Sequence, residues 1–188
     1  MGADRGGEVG RKLTVEDRFS GGELRVVPSL QTSLFPEEQR VRFGQTAFSR
    51  DLRANRMGVK VVPDGPGFGV EGGLSVVSEV ICPGDIQITG DGAPFVLLAE
   101  CQTTGGYPRL ATVIPSDLPR IAQAASGAPL RFRFVTLEEA MEAEARYRRM
   151  LTELPRRIQP VIRHPADVPD LLSHKLVSGF SNGDHHDH

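Results

Sequence analysis

Short apolar runs separated by turn-forming residues constrain the fold of this chain more than any other feature. About seven or eight such runs fall between residues 24 and 135, with Gly- and Pro-rich connections between them. The run from 130 to 135 alternates apolar residues with Arg131 and Arg133, which predicts a strand with one buried face. The high content of 21 Gly and 14 Pro supports many tight turns. We therefore predict a mainly β protein built on a closed, mostly antiparallel barrel.

Other segments predict further strands and a few helices. Residues 74–81 carry a strong strand pattern, and residues 86–89 and 95–100 predict a hairpin closed by the turn between them. One short helix is expected from Pro36 and another over residues 118–125. The sequence from Thr136 to Glu139 has the capping-box pattern, and its helix is expected to run to Leu154.

Composition and pattern divide the chain into four parts. We predict an N-terminal tail or linker over residues 1–20, a barrel over 21–136, a C-terminal helix over 137–154 and a Pro/His-rich tail over 155–188.

Bulk composition argues against several classes of partner. A net charge of −2 and few aromatic residues predict no nucleic-acid partner. No apolar stretch approaches the roughly 18 residues of a membrane span, and no secretory signal begins the chain, so we expect a cytoplasmic protein.

Cys82 and Cys101 lack metal-ligand spacing and are expected to stay reduced. All five histidines fall in the last 25 residues, where a frayed end is favoured over a metal site.

Two nucleotide-binding motifs can be set aside. Gly67, Gly69 and Gly72 complete a Gly-x-Gly-x-x-Gly pattern, but it lies in a turn before a strand, whereas a dinucleotide site needs it between a strand and a helix. The sequence contains no P-loop pattern.

The stretch from Phe95 to Pro108 is the best candidate for a ligand site. It opens as an apolar run and then breaks into polar residues, two glycines and Tyr-Pro. Such a segment delivers polar side chains and backbone N–H groups to the rim of a core, although a strand running into a glycine turn explains the pattern equally well.

Cys101 within this stretch is interpreted as a nucleophile or, preferably, as a buried structural thiol. Glu79 and Glu100 lie in apolar surroundings and need a partner, for which Arg56 or Arg109 is available, and such a pair could be purely structural.

Four motifs in a fixed order resemble a known family. They are Asn55-Arg56-Met57-Gly58, then Ser78-Glu79 followed by Gly84-Asp85-Ile86-Gln87, then Leu97 to Pro108 with its Gln-Thr-Thr-Gly-Gly-Tyr-Pro string, and finally Asp117 to Gln123. Together they are similar to the biotin-dependent carboxyltransferase-like family, which includes the second subunit of allophanate hydrolase, the C subunit of 5-oxoprolinase and the carboxyltransferase region of urea carboxylase. The match covers roughly residues 21–145 and corresponds to the C-terminal half of the longer family members.

The resemblance implies a cyclophilin-like closed antiparallel β-barrel with one or two short helices and a C-terminal helix. It implies a complex with a companion subunit of similar fold, like the first subunit of allophanate hydrolase, and with a large catalytic subunit. The implied substrate is a small amide or ureide such as 5-oxoproline, urea or allophanate. No cofactor is expected on this chain itself; biotin on a partner and ATP in the complex are the cofactors that the resemblance allows.

The resemblance also implies substrate-binding residues, while no catalytic residue and no metal ligand is assigned. The binding residues are Asn55, Arg56, Ser78, Glu79, Gln87, Glu100, Gln102, Thr103, Thr104, Gly105, Gly106 and Tyr107. The chain departs from the family pattern at Glu100, where Asp is usual, and at Cys82-Pro83, and it lacks a Ser-Ser-Lys amidase signature. We therefore expect a subunit that is inactive alone. The alternative is a non-catalytic binding or regulatory module with the same fold.

Overall fold

The structure is a computed structural model that describes residues 10–14, 19–70 and 77–161. The chain divides into two compact units, one formed by Val15–Glu153 and the other by Met1–Thr14 with Leu154–His188. The strands are β1 (Arg11–Leu13), β2 (Gly22–Pro28), β3 (Phe48–Asn55), β4 (Gly58–Pro63), β5 (Glu79–Val80), β6 (Asp85–Ile88), β7 (Pro94–Leu97), β8 (Thr104–Gly105), β9 (Arg109–Val113), β10 (Pro129–Phe134) and β11 (Ile158–Pro160). The helices are α1 (Glu37–Gln45), α2 (Leu118–Gln123) and α3 (Leu137–Glu153), with 3₁₀ turns at Thr32–Leu34, Pro115–Asp117 and Leu154–Arg157.

Seven strands of the larger unit close into a barrel in the order β10-β2-β9-β6-β7-β4-β3. This confirms the mainly β fold and the closed barrel. Six of the seven neighbouring pairs are antiparallel, including the expected hairpin of β6 and β7. The pair β2–β10 is parallel, with Leu24 opposite Phe132, so the barrel is mixed rather than wholly antiparallel. Strands far apart in sequence can pair in parallel because a long connection lets the chain return in the same direction.

The barrel interior is filled by apolar residues from all seven barrel strands. On β10, Leu130 and Phe132 are buried while Arg131 and Arg133 face outward, as the alternation predicts. Helix α1 adds Phe43, whose ring stacks on Phe132 with centroids 4.9 Å apart. Phe43 also contacts the rings of Phe48 and Phe68, and this aromatic cluster gives the core large contact areas and geometric specificity.

Helix α3 is capped as its sequence predicts, and the structure shows how it packs. The Thr136 N–H donates to Glu139 Oε2 at 3.0 Å and the Glu139 N–H donates to Thr136 Oγ1 at 3.1 Å, which completes the capping box. Ala140 and Ala143 are buried against a small apolar cluster that includes Ile114. The small side chains allow the helix to lie close to the barrel.

Several strands differ from the sequence expectation. Strand β3 has no periodic signal in the sequence, because its register shifts between Arg50 and Ala54 and the bulge breaks the alternation of buried and exposed residues. Strand β7 ends at Leu97 instead of continuing to residue 100, because the chain turns and the Cys101 N–H donates to the Leu98 carbonyl. Within the strand predicted over 74–81, the described residues form only the two exposed residues of β5; residues 77 and 78 are irregular, and 74–76 lie outside the described residues.

The smaller unit contains a two-stranded antiparallel sheet. Strand β1 pairs with β11, with Arg11 opposite Pro160 and Leu13 opposite Ile158. Both strands fall in segments for which the sequence predicted only tails. The five histidines lie outside the described residues. In the part of the chain that the structure describes, no helix combines the length and apolarity needed to cross a membrane.

Candidate functional site

A pocket of about 230 Å³ lies at one edge of the barrel, beside the turn after β3 and the segment leading into β8. Its walls come from segments that are far apart in sequence. The lining residues are Asn55, Met57, Ile81, Gln87, Phe95, Leu97, Cys101, Gln102, Thr104 and Gly105. The pocket therefore brings together five of the residues implied by the motifs, namely Asn55, Gln87, Gln102, Thr104 and Gly105.

Gln87 is the buried polar residue of this pocket. The β6–β9 ladder shifts register there, since Ile86 pairs with Ala111 but Gln87 pairs with Arg109. Irregularities of this kind redirect side chains and are common beside functional sites. Gln87 is only 7% exposed, and its Nε2 has no hydrogen-bond partner in the described part of the chain. Leaving such a donor unpaired costs about 1–3 kcal/mol, which a ligand oxygen would recover.

Gly105 lies directly against the Gln87 amide. A Cβ built on Gly105 would lie 2.5 Å from Gln87 Nε2 and 3.2 Å from atoms of the Ile81 side chain. Strand β8 is held over this position by its pairing with β5, in which Glu79 lies opposite Gly105. Any residue other than glycine would therefore displace the amide from its place in the pocket wall.

Asn55 serves mainly to shape the pocket rim. Its Oδ1 accepts hydrogen bonds from the Met57 N–H at 2.9 Å and the Gly58 N–H at 3.2 Å. These bonds hold the tight turn between β3 and β4, a use of asparagine that is common in turns. The position of this turn places Met57 in the pocket wall.

The described walls of the pocket carry no charge at neutral pH. None of the lining side chains is a carboxylic acid or a strong base. Burial raises the pKa of the Cys101 thiol, with the Asp85 carboxylate adding to the effect. The thiol is therefore protonated and a poor nucleophile, consistent with the structural interpretation of this cysteine. Amide and hydroxyl groups remain as the polar contacts for a ligand.

Glu79 lies outside the pocket and is tied to Arg109. Arg109 Nη2 donates to Glu79 Oε2 at 2.5 Å, and Gln31 Nε2 donates to the same oxygen at 2.9 Å. Arg109 Nη1 also donates to the Val80 carbonyl at 2.8 Å and lies 3.3 Å from Asp85 Oδ2. This network anchors β5, and β5 pairs with the strand that carries the pocket glycine. Glu79 thus supports the site from behind instead of lining it.

Arg56 and Glu100 form a separate ion pair. Arg56 Nη2 lies 2.5 Å from Glu100 Oε1, with the two side chains 84% and 49% exposed. Both line another, mainly apolar groove of about 420 Å³ that also contains Leu98 and Leu118. The sequence offered Arg56 and Arg109 as partners for the two acids, and in the structure Arg109 pairs with Glu79 and Arg56 with Glu100.

The remaining residues implied by the motifs lie near the pocket in sequence but are not among its lining residues. Ser78 and Thr103 are exposed, and the Thr103 carbonyl accepts a hydrogen bond from the Ile81 N–H at 3.1 Å. Gly106 is half-buried, and Tyr107 is 46% exposed.

Sequence reasoning missed most of the apolar wall of the pocket. Met57, Ile81, Phe95 and Leu97 look like ordinary core residues in the sequence, and no local signal separates them from the rest of the core. Arg109, by contrast, is one of the two partners that the sequence predicts for Glu79 and Glu100. It is a charged residue at the start of an apolar strand, where burial requires a partner.

Comparison with known proteins gives consistent results. Residues 4–134 match the carboxyltransferase domain, subdomain A and B. The chain is 30% identical to the C subunit of 5-oxoprolinase from Escherichia coli (strain K12) over 144 residues, which is 77% of this chain and 46% of that protein. It is 32% identical to the corresponding 5-oxoprolinase subunit of Haemophilus influenzae over 117 residues, which is 62% of this chain and 37% of that protein. The chain thus spans less than half the length of these relatives.

The fold has a counterpart among solved structures. The crystal structure of urea carboxylase from Kluyveromyces lactis superimposes with a TM-score of 0.64 at 20% identity, covering 78% of this chain and 14% of that one. At this identity the likeness concerns the fold alone.

Proposed function

Because the chain belongs to the carboxyltransferase domain family, subdomain A and B, we propose that it forms part of the site where a multi-subunit enzyme binds a small amide or ureide. The candidate ligands are 5-oxoproline, urea and allophanate, which follow from the names of its relatives and from the motifs. The observation that carries the proposal is the buried, unpartnered Gln87 amide beside Gly105.

The chemistry of the pocket suits an uncharged amide. Gln87 Nε2 would donate to the carbonyl oxygen of the ligand, while the Gln102 amide oxygen and the Thr104 hydroxyl can accept from its N–H groups. A urea molecule needs no charged partner and is therefore well matched to walls without charge. The carboxylate of 5-oxoproline would need a cation from outside the pocket, because an unpaired charge is costly to bury.

The described part of the chain supplies binding groups but lacks a complete catalytic set around the pocket. The nearby acids Glu79 and Glu100 are held in ion pairs with Arg109 and Arg56, and the Cys101 thiol is protonated. We therefore propose that the reacting groups come from partner chains, namely a companion subunit of similar fold and a large catalytic subunit. ATP does not fit the pocket, because none of its lining residues is a cation that could hold the phosphates. ATP and biotin chemistry is accordingly assigned to the partners in this proposal.

A second candidate function is a non-catalytic module that binds the same ligand and regulates a partner. The lining residues of the described pocket include no activated nucleophile and no titratable base, which favours this interpretation as strongly as it favours an incomplete enzyme. The two candidates share the pocket and differ in whether the assembled complex turns over substrate.

The test uses the full chain recovered with its partners from the cells that produce it. The complex is assayed for ATP-dependent turnover of 5-oxoproline and of urea, with wild-type chain, Gln87→Leu and the matched control Gln123→Leu, which changes an exposed glutamine on α2. We expect Gln87→Leu to lower turnover at least about tenfold, the loss of one ligand hydrogen bond, while Gln123→Leu leaves it unchanged.

The possible results separate the two candidates. Equal turnover in wild type and Gln87→Leu would remove this pocket from the substrate site. A complex that is inert towards both compounds, while the wild-type chain still binds urea or 5-oxoproline in a Gln87-dependent manner, would support the regulatory module.

A further inference from the structure

A second cavity, of about 300 Å³, lies beside the 3₁₀ turn at Pro115–Asp117, between α2 and α3. It shares no lining residue with the Gln87 pocket. Its polar wall is formed by Arg25, Ser116, Asp117, Arg120, Arg146 and Tyr147. The proposed amide-binding function makes no use of this cavity.

The wall of this cavity carries an excess of positive charge. Its lining residues include three guanidinium groups, those of Arg25, Arg120 and Arg146, and one carboxylate, that of Asp117. Asp117 is committed to Arg25, which donates to it from Nε at 2.8 Å and from Nη2 at 2.6 Å. Arg146 makes a long, exposed contact of 3.4 Å with Glu142, a pair of the kind that contributes little. The cavity therefore favours an anion.

Two buried donors at this wall have no partner in the described part of the chain. They are Ser116 Oγ, on a residue that is 7% exposed, and Arg120 Nε. Arg120 is also held in place, since its Nη1 donates to the Gly21 carbonyl at 3.1 Å. An unpartnered hydroxyl and an oriented guanidinium together form a ready set of donors for an oxyanion, because an arginine fork matches carboxylate and phosphate oxygens.

We propose that this cavity binds a small organic oxyanion, a carboxylate or a phosphate ester with an apolar body. Ser116 Oγ and Arg120 Nε donate to the oxyanion, and Arg146 supplies the balancing charge. Ala143, Met150 and Pro119 provide the apolar side of the cavity. A carboxylate and a phosphate ester share the chemistry that the donors recognise, and comparison of the two probe classes identifies the preferred one.

The experiment measures binding of phenyl phosphate and of benzoate to the full chain by titration calorimetry, with phenol as the uncharged control. The variants are Ser116→Ala and Arg146→Gln, and the matched control is Arg131→Gln, which removes one positive charge from an exposed position on β10. We expect one of the two anions to bind and phenol not to bind. Each cavity variant should weaken binding about tenfold, the effect of one charge-assisted contact, while Arg131→Gln changes it less than about twofold.

Thermal unfolding of Ser116→Ala gives a second readout. Because Ser116 Oγ has no partner in the described part of the chain, we expect this variant to keep the wild-type melting temperature. A clear drop would mean that the hydroxyl serves an internal hydrogen bond, which overturns the assignment. The proposal is equally overturned if neither anion binds below about 10 mM, if phenol binds as well as phenyl phosphate, or if Arg131→Gln weakens binding as much as Arg146→Gln.

Discussion

Replacement of Arg109 by Met is expected to destabilise the protein by about 3 kcal/mol. The Arg109 and Asp85 side chains are only 8% and 3% exposed, so the substitution leaves the buried Asp85 carboxylate without its cationic partner. Such a loss ordinarily costs about 3–5 kcal/mol. Asp85 keeps hydrogen bonds from Thr112 Oγ1 at 2.8 Å and from the Cys82 N–H at 3.0 Å, which places the loss at the lower end of that range. Glu79 is half exposed, so the loss of its own ion pair with Arg109 adds little to this destabilisation.

The assay is urea unfolding followed by circular dichroism, with hydrogen exchange as a local readout. Arg53→Met is the control, because Arg53 is 74% exposed in its pair with Asp51 and its loss should cost less than about 0.5 kcal/mol. Arg109→Met should also speed exchange of the Ile81 amide, since Arg109 anchors the strand before it through the Val80 carbonyl. A loss below about 1 kcal/mol, or one equal to that of Arg53→Met, would refute the assignment of Arg109 as the buried anchor of the site.

Three further outcomes follow from the site and its surroundings. Hydrogen bonding by the Arg53 side chain lowers the pKa of Asp51 below its ordinary value of 3.8. The small stabilising effect of this surface pair should be complete above the unfolded pKa and disappear as the pH falls through the folded pKa. Carboxyl-carbon NMR should show a midpoint below 3.8 that moves towards 3.8 in Arg53→Met, and an unchanged midpoint would contradict this. Burial raises the pKa of Cys101, so alkylation of this thiol by iodoacetamide at pH 7 should be slower than that of free cysteine, and a faster rate would indicate an activated thiolate. Gln102→Ala should lower turnover of the assembled complex with little change in melting temperature, because the side chain is exposed at the pocket rim; undiminished turnover would exclude Gln102 from the site.

Local sequence patterns were sufficient to predict much of the architecture. The alternation at 130–135, the capping box at Thr136 and the hairpin of β6 and β7 depend on residues that are near one another in the chain. Such features are governed by side-chain periodicity and turn geometry, which a sequence displays directly. The bulged strand β3 escaped detection, because an extra residue interrupts the periodicity on which strand recognition depends.

The motifs named residues of the pocket, but they could not say which of them would meet. Asn55, Gln87, Gln102, Thr104 and Gly105 converge because the barrel brings their strands and turns to one edge. A motif also does not separate pocket residues from their neighbours in the sequence. Thr103 and Tyr107 belong to the same string as Gln102 and Thr104 but are not among the lining residues. Successive side chains of an extended chain point to opposite sides, so neighbouring residues of a motif need not share an environment.

The sequence by itself determined the closed β architecture, the capped C-terminal helix and the family, because periodicity, turn chemistry and ordered motifs are properties of the chain as written. Only the tertiary structure decided the roles of individual polar residues. It placed Glu79 against Arg109 behind the site, and it left Gln87 Nε2 buried beside Gly105 with no partner among the described residues. The physical reason is that pairing and burial depend on which long-range segments meet, and a carboxylate or an amide looks the same in a sequence whether its partner is present or absent.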